Sequence, residues 1–256
     1  MRSQTLPTSI QTIRQTWKKQ AMRSHLKCVV IGLLGLSALC SHAENSDDQI
    51  QIMETGQYHG DEITARFGIA KAWLALIVNN QQAELAPSTP KISKVFDPVS
   101  DEEGAKSSYS GKLVEVHQHD PILLIKASWL KPGPIAQAKL TDDSQAFTWD
   151  ERQFRLLHRC GKASSKESLL ECQVVFSDGK NQQFIIDTSE PNQGYSDEFA
   201  STVNIVWAGD IDRDGKPDFI LLNTHYNGEN TQLFLSSKAN KNQLVKSAAR
   251  VYRVGC

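Results

Sequence analysis

From residue 72 onward the chain advances in short apolar runs, five to nine residues long, each stopped by a cluster of Gly, Asn, Asp or Pro. Runs of that length, rich in Val, Ile, Leu, Phe and Trp, are the size of strands. No segment sustains a helical period, and only LVKSAARVY at 244–252 fits either state. A core in such a chain has to come from paired strands. The expected fold is mainly β, with antiparallel sheets arranged as a sandwich or as two small β lobes.

Strands are expected near 62–66, 72–79, 83–86, 91–95, 112–117 and 122–128. A second set follows near 146–149, 153–160, 169–177, 182–187, 203–208, 218–224, 231–237 and 248–254. Between the sets lies LKPGPI at 130–135, where two prolines around a glycine are expected to interrupt regular structure. It marks the boundary between an N-terminal β region, 44–135, and a C-terminal one, 136–256. Residues 97–111 read as a polar loop. No repeat of fixed period is present, which argues against a propeller or solenoid built by this chain alone.

Three turns set strand registers. Asn79-Asn80-Gln81 is a plain turn, Ser177-Asp178-Gly179-Lys180 carries an Asp-Gly hairpin signal, and Tyr226-Asn227-Gly228-Glu229 carries an Asn-Gly one. A two-residue Asn227–Gly228 loop would set Leu222 opposite Leu233, Ile220 opposite Leu235 and Leu221 opposite Phe234. Both faces of that hairpin would then be apolar and buried. An antiparallel pair centred on residue 166 would set Leu156 opposite Phe176 and Cys160 opposite Cys172. With both cysteines on the apolar face, a Cys160–Cys172 disulfide is expected, and Cys256 is left over.

The hairpin near 203–224 is joined by AGDIDRDGKPDFILL. Counted from Asp210, aspartates occupy loop positions 1, 3, 5 and 9 (Asp210, Asp212, Asp214, Asp218), with Gly215 at 6 and Lys216 at 7. Alternate carboxylates on a curling backbone converge on one point, the glycine permits the bend, and the backbone carbonyl of Lys216 can turn inward. Such a set of hard oxygen ligands suits one Ca²⁺ ion, which offsets the repulsion among the carboxylates. An EF-hand needs a bidentate Glu at position 12 and a helix after it; Leu221 stands there, in a strand. Strand–GDxDxDGxxD–strand instead resembles the calcium loop of FG-GAP repeats and related VCBS-type modules over residues 199–237. That resemblance implies metal ligation by Asp210, Asp212, Asp214, Asp218 and the Lys216 carbonyl. One copy, with Phe199-Ala200 in place of Phe-Gly, implies the loop without the propeller or its adhesive function.

The first 43 residues carry no acidic side chain and end in CVVIGLLGLSALC followed by Ser41-His42-Ala43. Basic residues, a short apolar run and small residues at −3 and −1 make a secretory signal peptide, with Met22 as an alternative start that leaves a compact n-region. Acylation at Cys40 would want a small residue before it, and Leu39 is not small. Cleavage after Ala43 removes six of the 28 basic residues and leaves 22 against 29 acidic ones, a formal charge of −7. An acidic, exported chain, periplasmic or extracellular and without a membrane segment after cleavage, is a poor partner for nucleic acid. Export also permits the disulfide.

No Gly-x-Ser-x-Gly, His-Glu-x-x-His or Cys–His pairing signature is present, so no catalytic residue is assigned. His225 is a candidate pocket residue beside the hairpin turn. Trp73 and Trp207 lie within apolar runs and read as core, whereas Trp129 and Trp149 are open to stacking on a sugar. The expected function is an exported, calcium-stabilised binding or structural module of the cell envelope, with a protein or carbohydrate ligand. The alternative is an envelope hydrolase or carbohydrate-active protein whose catalytic residues carry no signature.

Overall fold

The computed structural model describes residues 49–63, 73–79, 82–104, 108–117, 120–160, 172–187, 202–225 and 228–254. They form β1 (Gln51–Met53), β2 (Gly56–Tyr58), β3 (Trp73–Asn79), β4 (Gln82–Ser88), β5 (Lys91–Val95) and β6 (Gly111–Glu115). Then follow β7 (Leu123–Lys126), β8 (Gly133–Gln137), β9 (Lys139–Leu140), β10 (Ala146–Trp149), β11 (Arg152–Cys160) and β12 (Cys172–Ser177). The last are β13 (Gln182–Asp187), β14 (Thr202–Asp210), β15 (Asp218–His225), β16 (Gly228–Leu235) and β17 (Lys246–Val254). The protein is mainly β and its sheets are antiparallel, as the run lengths imply. The ambiguous segment at 244–252 lies largely within β17.

A nine-stranded sheet runs in the order β1-β7-β3-β4-β8-β14-β15-β16-β17. A five-stranded sheet (β13-β12-β11-β10-β9) and a three-stranded one (β2-β6-β5) complete the set. The large sheet is nearly closed, because its edge strands β1 and β17 come together. Arg253 of β17 fastens them. Its Nε lies 3.0 Å from Glu54 Oε2, just past β1, and its Nη2 lies 2.8 Å from Glu229 Oε2. Thr231 Oγ1 donates to Glu54 Oε1 at 2.6 Å and so adds β16 to the same clasp.

Two apolar cores flank the hairpin β15–β16. Ile220, Leu233 and Leu235 point into a core inside the curled sheet, together with Trp73, Leu76, Leu85 and Trp207. Phe219, Leu221 and Phe234 point the other way, into a core shared with the five-stranded sheet. Alternation with a period of two therefore serves both faces, as expected for an apolar run with no polar side. A bulge in β14 between Ile205 and Trp207 turns the Trp207 indole into the first core while Ile205 and Ala208 stay in the second. Trp73 and Trp207 are buried, as their apolar surroundings predict.

Aromatic rings bind the two sheets across the second core. Phe147 stacks on Phe154 with centroids 5.1 Å apart, Phe176 lies 4.6 Å from Phe219, and Phe219 stacks on Phe234 at 4.9 Å. Each fully buried Phe contributes roughly 1.5–3 kcal/mol from area alone, and such ring pairs add about 0.5–1.5 kcal/mol.

Three expectations need correction. The β15–β16 hairpin pairs Leu222 with Thr231, Ile220 with Leu233 and Leu221 with Gln232, two residues out of the expected register. Gly228 is already strand, paired with His225, and 226–227 lie outside the described residues. Packing explains the glycine: a Cβ on it would sit 2.6 Å from the Tyr252 hydroxyl and 2.7 Å from the Arg253 carbonyl. Because the slip is an even number, every side chain keeps its expected face.

The second correction concerns 130–135. Strand β8 runs through it, pairing with β4 at Gly133–Ile135 and with β14 at Ala136–Gln137. Pro134 is tolerated because its β14 side needs no amide; its carbonyl there accepts from the Arg213 guanidinium at 3.3 Å. Third, residues 61–63 turn instead of beginning a strand, and 64–66 lie outside the described residues.

Candidate metal centre

Strands β14 and β15 deliver the acidic loop from a rigid frame. Gly209 pairs with Asp218 at its mouth. A Cβ on Gly209 would come within 2.3 Å of the Ala136 carbonyl and 2.6 Å of the Trp207 ring, so only glycine lets β14 lie against β8 immediately before Asp210. Ile211, fully buried in the first core, pins the loop from inside. Arg213 (φ 61°) and Gly215 (φ 84°) adopt left-handed backbone and wind the chain between these anchors.

The winding brings Asp210, Asp212 and Asp218 together, with one carboxylate oxygen from each lying within 4.8 Å of the others. This cluster can hold a metal ion. Asp210 is buried and accepts the amides of Asp214 (3.0 Å) and Gly215 (2.9 Å). Asp218, wholly buried, accepts from the Ile211 amide at 2.9 Å and the Ser236 amide at 2.8 Å. Asp214 lies outside this triad. Its carboxylate takes the Lys216 amide at 2.8 Å, the Ser236 hydroxyl at 3.4 Å and the Lys216 ammonium at 3.7 Å.

The charges are poorly compensated. Burial, then the charges of Asp212 and Asp214, push Asp218 up to about 8. Burial raises Asp212 too, with Asp214 and Asp210 adding to it. The loop's own cations are spent elsewhere: Arg213 donates to the carbonyls of Lys131 (3.0 Å) and Gly133 (3.1 Å), and Lys216 pairs with Asp214. A divalent cation among the three carboxylates would return both acids to their charged form.

Two serines close the site and carried no signal of their own in the sequence. Ser236 Oγ lies 3.2 Å from Asp218 Oδ1, and Ser237 Oγ donates to Asp212 Oδ2. They follow β16 directly, and the pairing of β16 with β15 carries them beside Asp218.

A second polar cluster lies in the loop at 97–111. Asp97 is fully buried, with Oδ1 2.7 Å from His59 Nδ1 and 2.9 Å from the Val99 amide. Burial pushes its carboxyl up, but the bonds from His59, Val99 and Gly60 outweigh that and hold it at about 2. Asp101 accepts the amides of Asp97 (2.8 Å) and Ser110 (2.8 Å), and the knot fastens this loop to the turn after β2.

Strands β11 and β12 set Leu156 opposite Phe176 and Cys160 opposite Cys172, as the centring on residue 166 requires. The side chains of both cysteines and of His225 lie outside the described residues, as does Cys256. Among the described residues no helix is long and apolar enough to cross a membrane. No protein-family model, curated protein or solved structure matches the chain.

Proposed function

We propose that this chain is an exported, β-rich binding or structural module of the cell envelope whose acidic loop holds one structural Ca²⁺. The carrying observation is the triad of Asp210, Asp212 and Asp218, whose most buried member is anchored to β16 through the Ser236 amide. An ion there ties three neighbouring strands of the large sheet to one point. Oxygen-only ligation favours a hard cation, and the irregular winding of the loop suits the flexible coordination of Ca²⁺ better than the strict octahedron of Mg²⁺. The likeness of the loop to FG-GAP repeats supports the same ion. In this reading the Asp214 carboxylate and the Lys216 carbonyl would join the three as ligands, with water completing the shell. A Cys160–Cys172 disulfide would lock β11 to β12 within the five-stranded sheet in the same compartment.

The test is thermal unfolding of the chain from Glu44 onward in millimolar calcium and in chelator, beside calorimetric titration with calcium. Calcium at a hundredfold excess over its Kd stabilises by about 2.7 kcal/mol, several degrees in midpoint. Asp212→Ala with Asp214→Ala should reproduce the chelator curve in calcium. Equal midpoints in the two buffers, with no heat of calcium binding, would refute the reading.

A further inference from the structure

An open cleft of about 400 Å³ lies beside the metal loop, lined by Gln137 of β8, Thr148 and Trp149 of β10, Asp150 and Gly215. Its volume is within the range of small-molecule sites. We propose that it binds a neutral saccharide unit of an envelope glycan, an inference that rests on the reading of the chain as a binding module.

The lining selects the ligand class. Trp149 is the one large apolar group, half-buried and backed by the second core, so its indole is a fixed platform. Asp150, Thr148 and Gln137 make the rest of the lining polar, with Gly215 beside them. An apolar ligand would leave these unpaired. A phosphate or other anion would meet Asp150 with no basic side chain in the lining to receive it. A pyranose satisfies both requirements: its C–H face covers the indole, and its hydroxyls reach acceptors and donors around the rim. Gln137 supplies a further sign, since its Oε1 is buried and accepts no hydrogen bond among the described residues.

The hairpin that presents these groups is built against local preference. Trp149 pairs with Arg152, and the two residues between them, Asp150 (φ 47°) and Glu151 (φ 61°), are both left-handed. Such two-residue turns favour Asn-Gly or Asp-Gly, so Asp150 suits its place and Glu151 stands where glycine is preferred. The turn sets Asp150 directly after the Trp149 platform at the rim of the cleft. Gly215, on the opposite wall, has open space where a Cβ would stand, which leaves the cleft wide toward the metal loop.

The test titrates the calcium-loaded chain with cellohexaose, chitohexaose and maltohexaose by calorimetry. At least one should bind with a Kd of ~1 mM or tighter. Asp150→Gly should weaken that binding at least about tenfold while the thermal midpoint holds or rises, because glycine relaxes the turn. Trp149→Phe should weaken it less than Trp149→Ala. No heat with any of the three sugars, or an Asp150→Gly variant that binds like the parent, would overturn the proposal. Calcium titration of the same samples separates the two readings: bound calcium without bound sugar removes the cleft alone.

Discussion

At the scale of single residues, Asp218 shows how the candidate metal site is written into the chain. Its carboxyl is wholly buried and raised to about 8 by burial and by Asp212 and Asp214. In chelator, the folded chain therefore keeps a proton that the unfolded chain releases above the usual carboxylate range. Stability should fall as pH rises from about 4 to 8, with a slope of at most about 1.4 kcal/mol per pH unit. Calcium should flatten that slope, and so should Asp218→Asn in chelator. Midpoints read at half-unit steps of pH in both buffers check this, and a chelator profile rising over that window would contradict it. The aspartates were legible because spacing encodes their convergence. Ser236 and Ser237 were not, because they reach the loop through the pairing of a separate strand. Likewise Asp97 looks like one more acid in a polar loop until the fold buries it beside His59.

At the scale of elements, glycines separate what the sequence tells from what it hides. Gly209→Ala would place a methyl group 2.3 Å from the Ala136 carbonyl, forcing β14 and β8 apart. The expected cost is roughly 1–3 kcal/mol of stability, with a weaker calcium affinity because Asp210 is the next residue. Urea unfolding and calcium calorimetry read the two effects, and an unchanged urea midpoint would show that the contact yields freely. Gly228 teaches the opposite lesson. Its place in an Asn-Gly pair suggests a turn residue, yet packing against Tyr252 and Arg253 is what requires it, and the hairpin register differs by two from the one such a turn implies. The β11–β12 pair was legible because its cysteines and its apolar residues agree on one register. Strands β1, β2 and β9 were missed because each has only two or three residues, and β8 because Gly133 and Pro134 read as breakers; long-range pairing, not a local pattern, makes each a strand.

At the scale of the whole molecule, closure of the large sheet is the step no local pattern announces. Arg253 joins Glu54 and Glu229 from opposite ends of the chain, and its guanidinium lies over the Tyr58 ring, 5.8 Å from its centroid. An open sheet would expose the backbone edges of β1 and β17, which the clasp brings face to face. Arg253→Ala leaves Glu54 with the Thr231 hydroxyl and Glu229 without its Arg253 partner. Glu229 is partly exposed and screened by water, so the loss should be modest, roughly 1 kcal/mol or less for that pair. Its location is the sharper expectation. Amide exchange should quicken in β1 and β17, while β14 and β15, paired on both sides and buried between two cores, stay protected. Exchange that quickens evenly across the sheet would mean that the clasp contributes to global stability alone. Exchange confined to the edges would mean that Arg253 holds the sheet closed while the metal loop's own frame persists without it.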